Sequence, residues 1–242
     1  MPILKNIRQL DLSNNGINAN VLKIVAVAAM FFDHATNVFV PDGTPMRWGI
    51  HLFGRLAAPL ICYLIAEGHH YTSNKKAYTI RLFLFALISH FPYVIYFDLS
   101  LWKATSVMWS LMLGLIALTA AKHQTMNVFQ KALVILLCCL AAYPANWHYL
   151  AVLWIVGFGV FREQFTKKML FYVAVGGLLY VLPGLLQYGP FVTYRFGFLL
   201  AIPFFYYYNR QPGKRSWFSK WAFYWFYPLH LTFFILLSWL IM

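Results

Sequence analysis

"VAAMFFDHATNVFV", residues 27–40, is apolar at both ends and carries two ionisable groups side by side, Asp33 and His34. Read back to Lys23, the run is long enough for a helix that crosses a bilayer core of about 30 Å. Asp33 lies ten residues beyond Lys23, which is about 15 Å along a helix and therefore close to mid-bilayer. An isolated charge at that depth costs at least ~2.5–3.5 kcal/mol on insertion scales. Both groups must therefore face protein and find partners. Successive helical residues are turned by about 100°, so Asp33 and His34 need separate ones. Asn37 shares the Asp33 face at i+4, where it can orient a carboxylate but not neutralise it.

The rest of the chain repeats the apolar pattern. It is 62% hydrophobic, 20% aromatic and only 10% charged, with a mean hydropathy of +0.64. Soluble domains are about 45–50% apolar and about 25% charged. The reading is an all-α, polytopic integral membrane protein of one domain, residues 1–242, with a polar cytoplasmic segment at 1–22 and no internal repeat. Nine segments are expected: 23–40, 48–68, 79–97, 105–121, 132–143, 147–161, 169–187, 191–208 and 221–242. The fifth and sixth are short and can instead form one re-entrant pair around "YPANWH", so the range is eight to ten. The first run starts behind a polar segment and is expected to stay as a membrane helix.

The net charge of +13 does not indicate nucleic-acid binding, because the basic residues sit in short breaks between apolar runs and form no stripe on a soluble surface. With the N-terminus inside, one side collects Lys5, Arg8, Lys75, Lys76, Lys122, Lys131, Arg162, Lys167, Lys168, Arg210, Lys214, Arg215 and others, and the opposite side keeps Arg47, Lys103 and Arg195. That bias gives an N-in, C-out orientation. Cys62, Cys138 and Cys139 lie in apolar runs. They present neither a disulfide framework nor metal-ligand spacing, and no metal is expected.

Partners for the buried pair come from other segments. In "WGIHLFGRLAAP", Arg55 lies about 10 Å below the outer boundary by helical rise, within about 5 Å of the Asp33 depth on the adjacent antiparallel segment. Gly54 permits close helix approach, and Pro59 leaves backbone carbonyls free for polar partners. His90, beside Pro92, and His230, in "FYPLHLTFF", fall at similar depth. Asp33, His34, Arg55, His90 and His230 thus form one polar level drawn from segments far apart in sequence. His51, His69, His70, His123 and His148 fall near the boundaries, where water satisfies them. A neutral His can take a proton from an amine or hydroxyl attacking an acyl carbonyl, a carboxylate can fix its tautomer, and an Arg can clamp a phosphate or carboxylate. The same parts suit a proton-coupled transporter, although the paired broken helices of an inverted repeat are absent.

The ordered set of motifs resembles the TraX family of membrane proteins. It consists of Asp33-His34 in the first segment, Gly54-Arg55 with Pro59 and then Glu67-Gly68 in the second, Tyr78, Arg81 and Leu82 opening the third, and Tyr227, Pro228 and His230 near the end. One departure is Asn146, where the family pattern has an acidic residue before an aromatic. The resemblance implies acetyl transfer from cytoplasmic acetyl-CoA to an acceptor at the outer face of the bacterial inner membrane. The acceptor implied is a pilin amino terminus, with a surface-glycan hydroxyl as the alternative and a non-catalytic pilus assembly factor as a further one. On this reading His34 is the general base, with Asp33 and His230 as the other catalytic groups. Arg55 and Arg81 meet the coenzyme, and Asn37, His90 and Tyr227 orient substrate. No phosphate-binding loop locates the coenzyme. The basic "KK", "KHQ" and "GKR" clusters can hold its phosphates but equally satisfy the charge rule.

Overall fold

The computed structural model describes residues 16–214 and 217–241. Lys5, Arg8 and Arg215, and the polar segment before Gly16, lie outside the described residues. Within them the chain is helical throughout: α1 (Ala19–Phe39), α2 (Pro45–Gly54), α3 (Ala57–Tyr71), α4 (Lys75–Tyr96), α5 (Val107–Ala121), α6 (Val128–Ala141), α7 (His148–Val160), α8 (Phe165–Gly176), α9 (Leu182–Tyr188), α10 (Ile202–Tyr207) and α11 (Trp217–Ile241). A π turn at Gly177–Val181 joins α8 to α9, and a 3-10 stretch at Gly189–Ala201 joins α9 to α10. Among the described residues there is no strand, only isolated bridges between Ile17 and Tyr208 and between Thr105 and Ala145.

Five helical runs are long and apolar enough to cross a membrane: Ala19–Phe39, Pro45–Tyr71, Lys75–Tyr96, Phe165–Tyr207 and Trp221–Ile241. The Phe165–Tyr207 run has 43 residues, about twice what one crossing needs. It reverses at Gly189, whose φ of +65° favours glycine. The 3-10 stretch then returns along α9 and packs against α2. Helices α5, α6 and α7 are shorter, at 15, 14 and 13 residues. Helix α7 is enclosed by α5, α3, α8 and α6, with Ala151, Val152, Trp154 and Ile155 fully buried. A helix surrounded by protein has little lipid-facing length to match, which removes one constraint on its length.

Polar ties gather the loops at the two ends of the bundle. At one end Ile17 N donates to Tyr207 O (3.0 Å) and Asn209 N to Ile17 O (2.9 Å). The buried Arg162 guanidinium makes a bidentate pair with Glu67 at 2.8 and 3.1 Å. Glu163 bridges Arg162 and Arg210 at 2.6 and 2.5 Å. The hydrogen bond from Arg210 holds the Glu163 carboxyl below its ordinary range. At the other end Arg47 donates to the carbonyls of Val40 (2.6 Å) and Thr36 (3.4 Å), to Asn37 Oδ1 (3.1 Å), and pairs with Asp42 (2.8 Å). It therefore caps the C-terminal end of α1, where carbonyls lack helical partners and cations are favoured.

Close backbone approach is concentrated at Gly197. A Cβ there would collide with the carbonyl of Leu52, whereas a Cβ on Gly49, one turn earlier on α2, meets nothing. Gly197→Ala is expected to destabilise the purified protein by about 1–3 kcal/mol, the usual cost of overpacking. Gly49→Ala, which relieves a helical glycine, should be neutral or stabilising by up to about 1 kcal/mol. Paired thermal melts in one detergent check the contrast, and equal midpoints would remove Gly197 as the contact that seats the 3-10 stretch on α2.

Candidate functional site

Asp33 and His34 look in different directions, as the helical period requires. The turn 40–44 joins α1 to α2, and Asp33 stands six residues before Phe39 while His51 stands six after Pro45. The two side chains therefore sit about 9 Å from that turn on facing helices. Asp33 Oδ1 is 2.7 Å from His51 Nδ1, and Asp33 Oδ2 accepts from Arg55 Nη2 at 2.6 Å. Gly54 makes the approach possible, since a Cβ on it would run into the Asp33 carboxylate. The helical run breaks at Arg55–Leu56, and Pro59 has no N–H to return to the Arg55 carbonyl. Arg55 also donates from Nε to His51 O (3.2 Å) and from Nη1 to Tyr180 Oη (3.3 Å). The rings of Trp147 and Tyr194 lie 5.8 and 5.6 Å from its guanidinium carbon. Trp147 reaches it from a left-handed backbone, φ +64°, followed by His148 at +41°. Two successive non-glycine residues in that region are strained, and such strain is held where a side chain must be aimed.

His34 meets His230 of α11. Both rings are buried, and His34 Nδ1 lies 2.7 Å from His230 Nε2. The ring planes differ by only 9° with centroids 5.0 Å apart, so the imidazoles meet edge to edge in nearly one plane. His230 Nδ1 faces the Phe226 carbonyl at 2.8 Å. A carbonyl only accepts, so in the neutral ring Nδ1 carries the hydrogen and Nε2 is the acceptor. His34 Nδ1 is then the donor to His230, and His34 Nε2 keeps its lone pair. These tautomers are assigned from the partners. The result is an oriented neutral base: Phe226 C=O fixes His230, His230 fixes His34, and one basic nitrogen remains. Tyr96 Oη donates to the His34 carbonyl at 2.6 Å, and the Phe226 ring stacks on His230 at 4.6 Å and 6°.

A cavity of about 450 Å³ lies at the end of the bundle that carries Glu67 and Tyr208, and neither His34 nor His230 lines it. Its outer part is lined by Asn20, Lys23, Arg81 and Lys214, and its inner part reaches Met30, Met108 and Tyr227. Tyr227 stands 5.5 Å from the His230 ring, centroid to centroid. Three buried polar atoms of cavity-lining residues, Arg81 Nε, Tyr208 Oη and Tyr227 Oη, have no hydrogen-bond partner among the described residues. Among these residues no group of three His, Cys, Asp or Glu side chains is placed to hold a metal ion.

The expected polar level separates into distinct sites. Asp33 and Arg55 are paired, and His34 and His230 are paired. His90 joins neither pair, because its Nδ1 bonds to the Thr105 hydroxyl at 3.2 Å. Asn37 is held by Arg47. Of the two arginines expected at a coenzyme, Arg81 lines the large cavity and Arg55 does not. Sequence reasoning left His51 to the solvent, yet it is a direct partner of Asp33. The signal was its place one turn before Arg55, on the face that Arg55 turns to α1. Glu67 and Tyr96 were likewise not marked as chemical groups.

The family described as TraX protein matches residues 18–238, and the chain belongs to that family. It is 28% identical to the "Probable fimbrial assembly protein FimC, serogroup H1" of Dichelobacter nodosus, over 90% of this chain and 95% of that protein. No solved structure matches the chain.

Arg55→Ala leaves the Asp33 carboxylate with His51 alone in a low-dielectric site, a type of loss that costs about 3–5 kcal/mol. The double variant Asp33→Asn/Arg55→Gln removes both charges and should melt above Arg55→Ala. Detergent-solubilised yields and melting curves of the two variants check this, and indistinguishable curves would show that the pair is not a charge-neutralising one.

Proposed function

We propose that the protein is a multi-pass acetyltransferase of the bacterial inner membrane, taking the acetyl group of cytoplasmic acetyl-CoA to an acceptor at the outer face, foremost a pilin amino terminus. The observation that carries this reading is the oriented, neutral His34–His230 pair, with a large cavity that reaches Tyr227, whose ring centroid stands 5.5 Å from that of His230. The volume of that cavity lies in the range of about 300–1,000 Å³ of small-molecule sites. Its mouth is cationic, and the unpartnered Arg81 Nε calls for an acceptor such as a phosphate oxygen. Lys23, Arg81 and Lys214 would hold the phosphates of the coenzyme, and the donor supplies an activated thioester carbonyl. Membership of the TraX family and the fimbrial relative support an acceptor connected with pili.

His34 Nε2 takes the proton as the acceptor nitrogen forms its bond to the acetyl carbon. The carbon–sulfur bond then breaks, and His34 returns that proton to the departing sulfur, giving an amide and a free thiol. His230 is the positioning group that keeps the His34 lone pair on Nε2. Asp33, spent on His51 and Arg55, holds α1 against α2 and contributes field rather than protons. The helices make nine passes in this reading. Lys75, Lys76, Lys122, Lys131, Arg162, Lys167, Lys168, Arg210 and Lys214 fall on the cytoplasmic side, and Arg47, Lys103 and Arg195 fall outside.

A second reading, a pilus assembly factor without catalysis, is favoured by the name of the Dichelobacter relative. A glycan hydroxyl as acceptor is a third. Mass spectrometry of surface proteins and glycans separates them. Cells lacking the gene should lose an acetyl-sized mass from one envelope component, and the intact gene should restore it. His34→Gln should restore ~10²–10⁴-fold less while the variant accumulates in the membrane and still binds acetyl-CoA. Near-complete acetylation by His34→Gln would remove His34 from the chemistry, and identical acetylation with and without the gene would leave the assembly reading. Orientation has its own check. Alkaline phosphatase fused after Met242 should be active and a cytoplasm-dependent reporter silent, and the reverse pattern would mean an even number of passes.

A further inference from the structure

Besides the large cavity, a smaller one of about 340 Å³ lies at the late ends of α1, α4 and α11. Asp33, His51 and Arg55 line neither, and the transfer described above gives His51 no step. Yet the cluster holds that ring in one defined state. Asp33 Oδ1 is 2.7 Å from His51 Nδ1. A carboxylate only accepts, so Nδ1 carries the hydrogen and the neutral ring has its lone pair on Nε2. Nε2 makes no hydrogen bond among the described residues, and the cluster is not sealed: 17% of the His51 side chain, 14% of Asp33 and 19% of Arg55 stay exposed. A tie between α1 and α2 does not need this ring, because Arg55 Nη2 reaches the second carboxylate oxygen at 2.6 Å and matches its charge alone. The elements packed on α2 are α1 and the 3-10 stretch. From the 3-10 stretch come Tyr194, whose ring lies 5.4 Å from that of His51, and Arg195, which donates to Tyr180 O. Tyr180 Oη accepts from Arg55. Arg47, one turn earlier on α2, pairs with Asp42. His34, next to Asp33 on α1, faces His230 instead.

We infer that His51 is a second base of the transfer, the one that takes the first proton from an acceptor amine. The inference rests on the transferase reading above. An α-amino group has a pKa of about 8 and is mostly ammonium at neutral pH. An ammonium has no lone pair and cannot attack. The cycle at His34 starts from the neutral amine: it takes one proton as the nitrogen–carbon bond forms and returns it to the sulfur. An ammonium acceptor brings one proton more, which must leave before the attack. His51 Nε2 takes it, the nitrogen keeps the electron pair of the broken N–H bond, and Asp33 Oδ1 is in place to hold the imidazolium that forms. The balance is one ammonium and one thioester in, and one amide, one thiol and one proton out. That proton leaves toward the turn 40–44, about 9 Å from His51 along α2. Asp33, which holds the first base, and His34, the second, are consecutive residues whose Cα atoms are about 3.8 Å apart. The two bases therefore flank one short stretch of α1.

The test uses the purified full-length protein, acetyl-CoA and two acceptors. One is a peptide with a free α-amino terminus, and the other is the same peptide with a hydrazide in place of that amine, which is neutral throughout the range. The variant is His51→Asn, whose amide N–H takes the place of Nδ1–H toward Asp33 but which has no basic nitrogen. In the variant only amine that is already neutral can react, about one part in ten at pH 7 for a pKa of about 8. Its loss of amine kcat/KM against the parent should therefore be about tenfold larger at pH 7 than at pH 9, while its loss with the hydrazide should not vary with pH. The same loss with the amine at every pH would make His51 a structural tie and overturn the inference, and so would a hydrazide loss that grows as the pH falls. The parent carries an independent arm should His51→Asn fail to fold. Its amine-to-hydrazide ratio of kcat/KM should change less than about threefold between pH 8 and pH 7, and a fall that follows the neutral-amine fraction would show that no protein base takes the first proton. If the parent acetylates neither acceptor, the transferase reading falls and His51 loses this step with it.

Discussion

An ionised carboxylate held away from water must have its charge matched in place, because no solvent can be recruited to do it. Asp33 meets this demand with His51 and Arg55, and much of the architecture follows. The turn between α1 and α2 is just long enough to set Asp33 and His51 at equal distance from it, and Arg47 fixes that register by capping α1. Gly54 gives the carboxylate room. The helical run interrupts itself at Arg55–Leu56, and the guanidinium gains Tyr180 and two aromatic faces. The strained backbone at Trp147 and His148 belongs to the same demand, because it carries an indole from the α6–α7 loop to the guanidinium.

The adjacent residue escapes that demand. Turned about 100° away, His34 leaves the Asp33 ion pairs and faces a neutral partner. Two neutral imidazoles hydrogen-bonded to one carbonyl need no counter-ion and incur little of the cost that burial imposes on charge. The arrangement gives a buried imidazole nitrogen with a defined tautomer. The helical period therefore gives the neighbours different partners: Asp33 is tied to His51 and Arg55, and His34 to His230 of α11.

Much of this was legible in the sequence because it followed from one-dimensional rules. Apolar run lengths located the helices, and the depth of Asp33 and Arg55 along adjacent segments gave their pairing. Depth was a weaker guide where direction mattered. His90 has the depth of His230 but faces Thr105, since its helix presents another side there. His51 was assigned to water because its distance from the boundary was weighed and its i,i+4 relation to Arg55 was not. The cavities could not be read at all. Each is a gap between helices that are distant in sequence, and no spacing rule encodes a gap. The continuous helical character of 165–207, reversed at Gly189 through π and 3-10 geometry, likewise depends on how α2 and α9 pack rather than on local pattern.

The seam formed by α1, α4 and α11 has a polarity of its own. The large cavity is lined by early residues of all three helices and the small one by late residues, so their N-terminal ends share one end of the seam. Helix starts carry partial positive charge and unpaired N–H groups, and helix ends carry the opposite. The cationic mouth formed by Lys23, Arg81 and Lys214 thus adds to the field of three helix starts, which favours an anionic headgroup there. At the far end the cap of Arg47 on the α1 carbonyls cancels one of the three negative ends. The ends of α4 and α11 remain, lining a pocket without charged side chains.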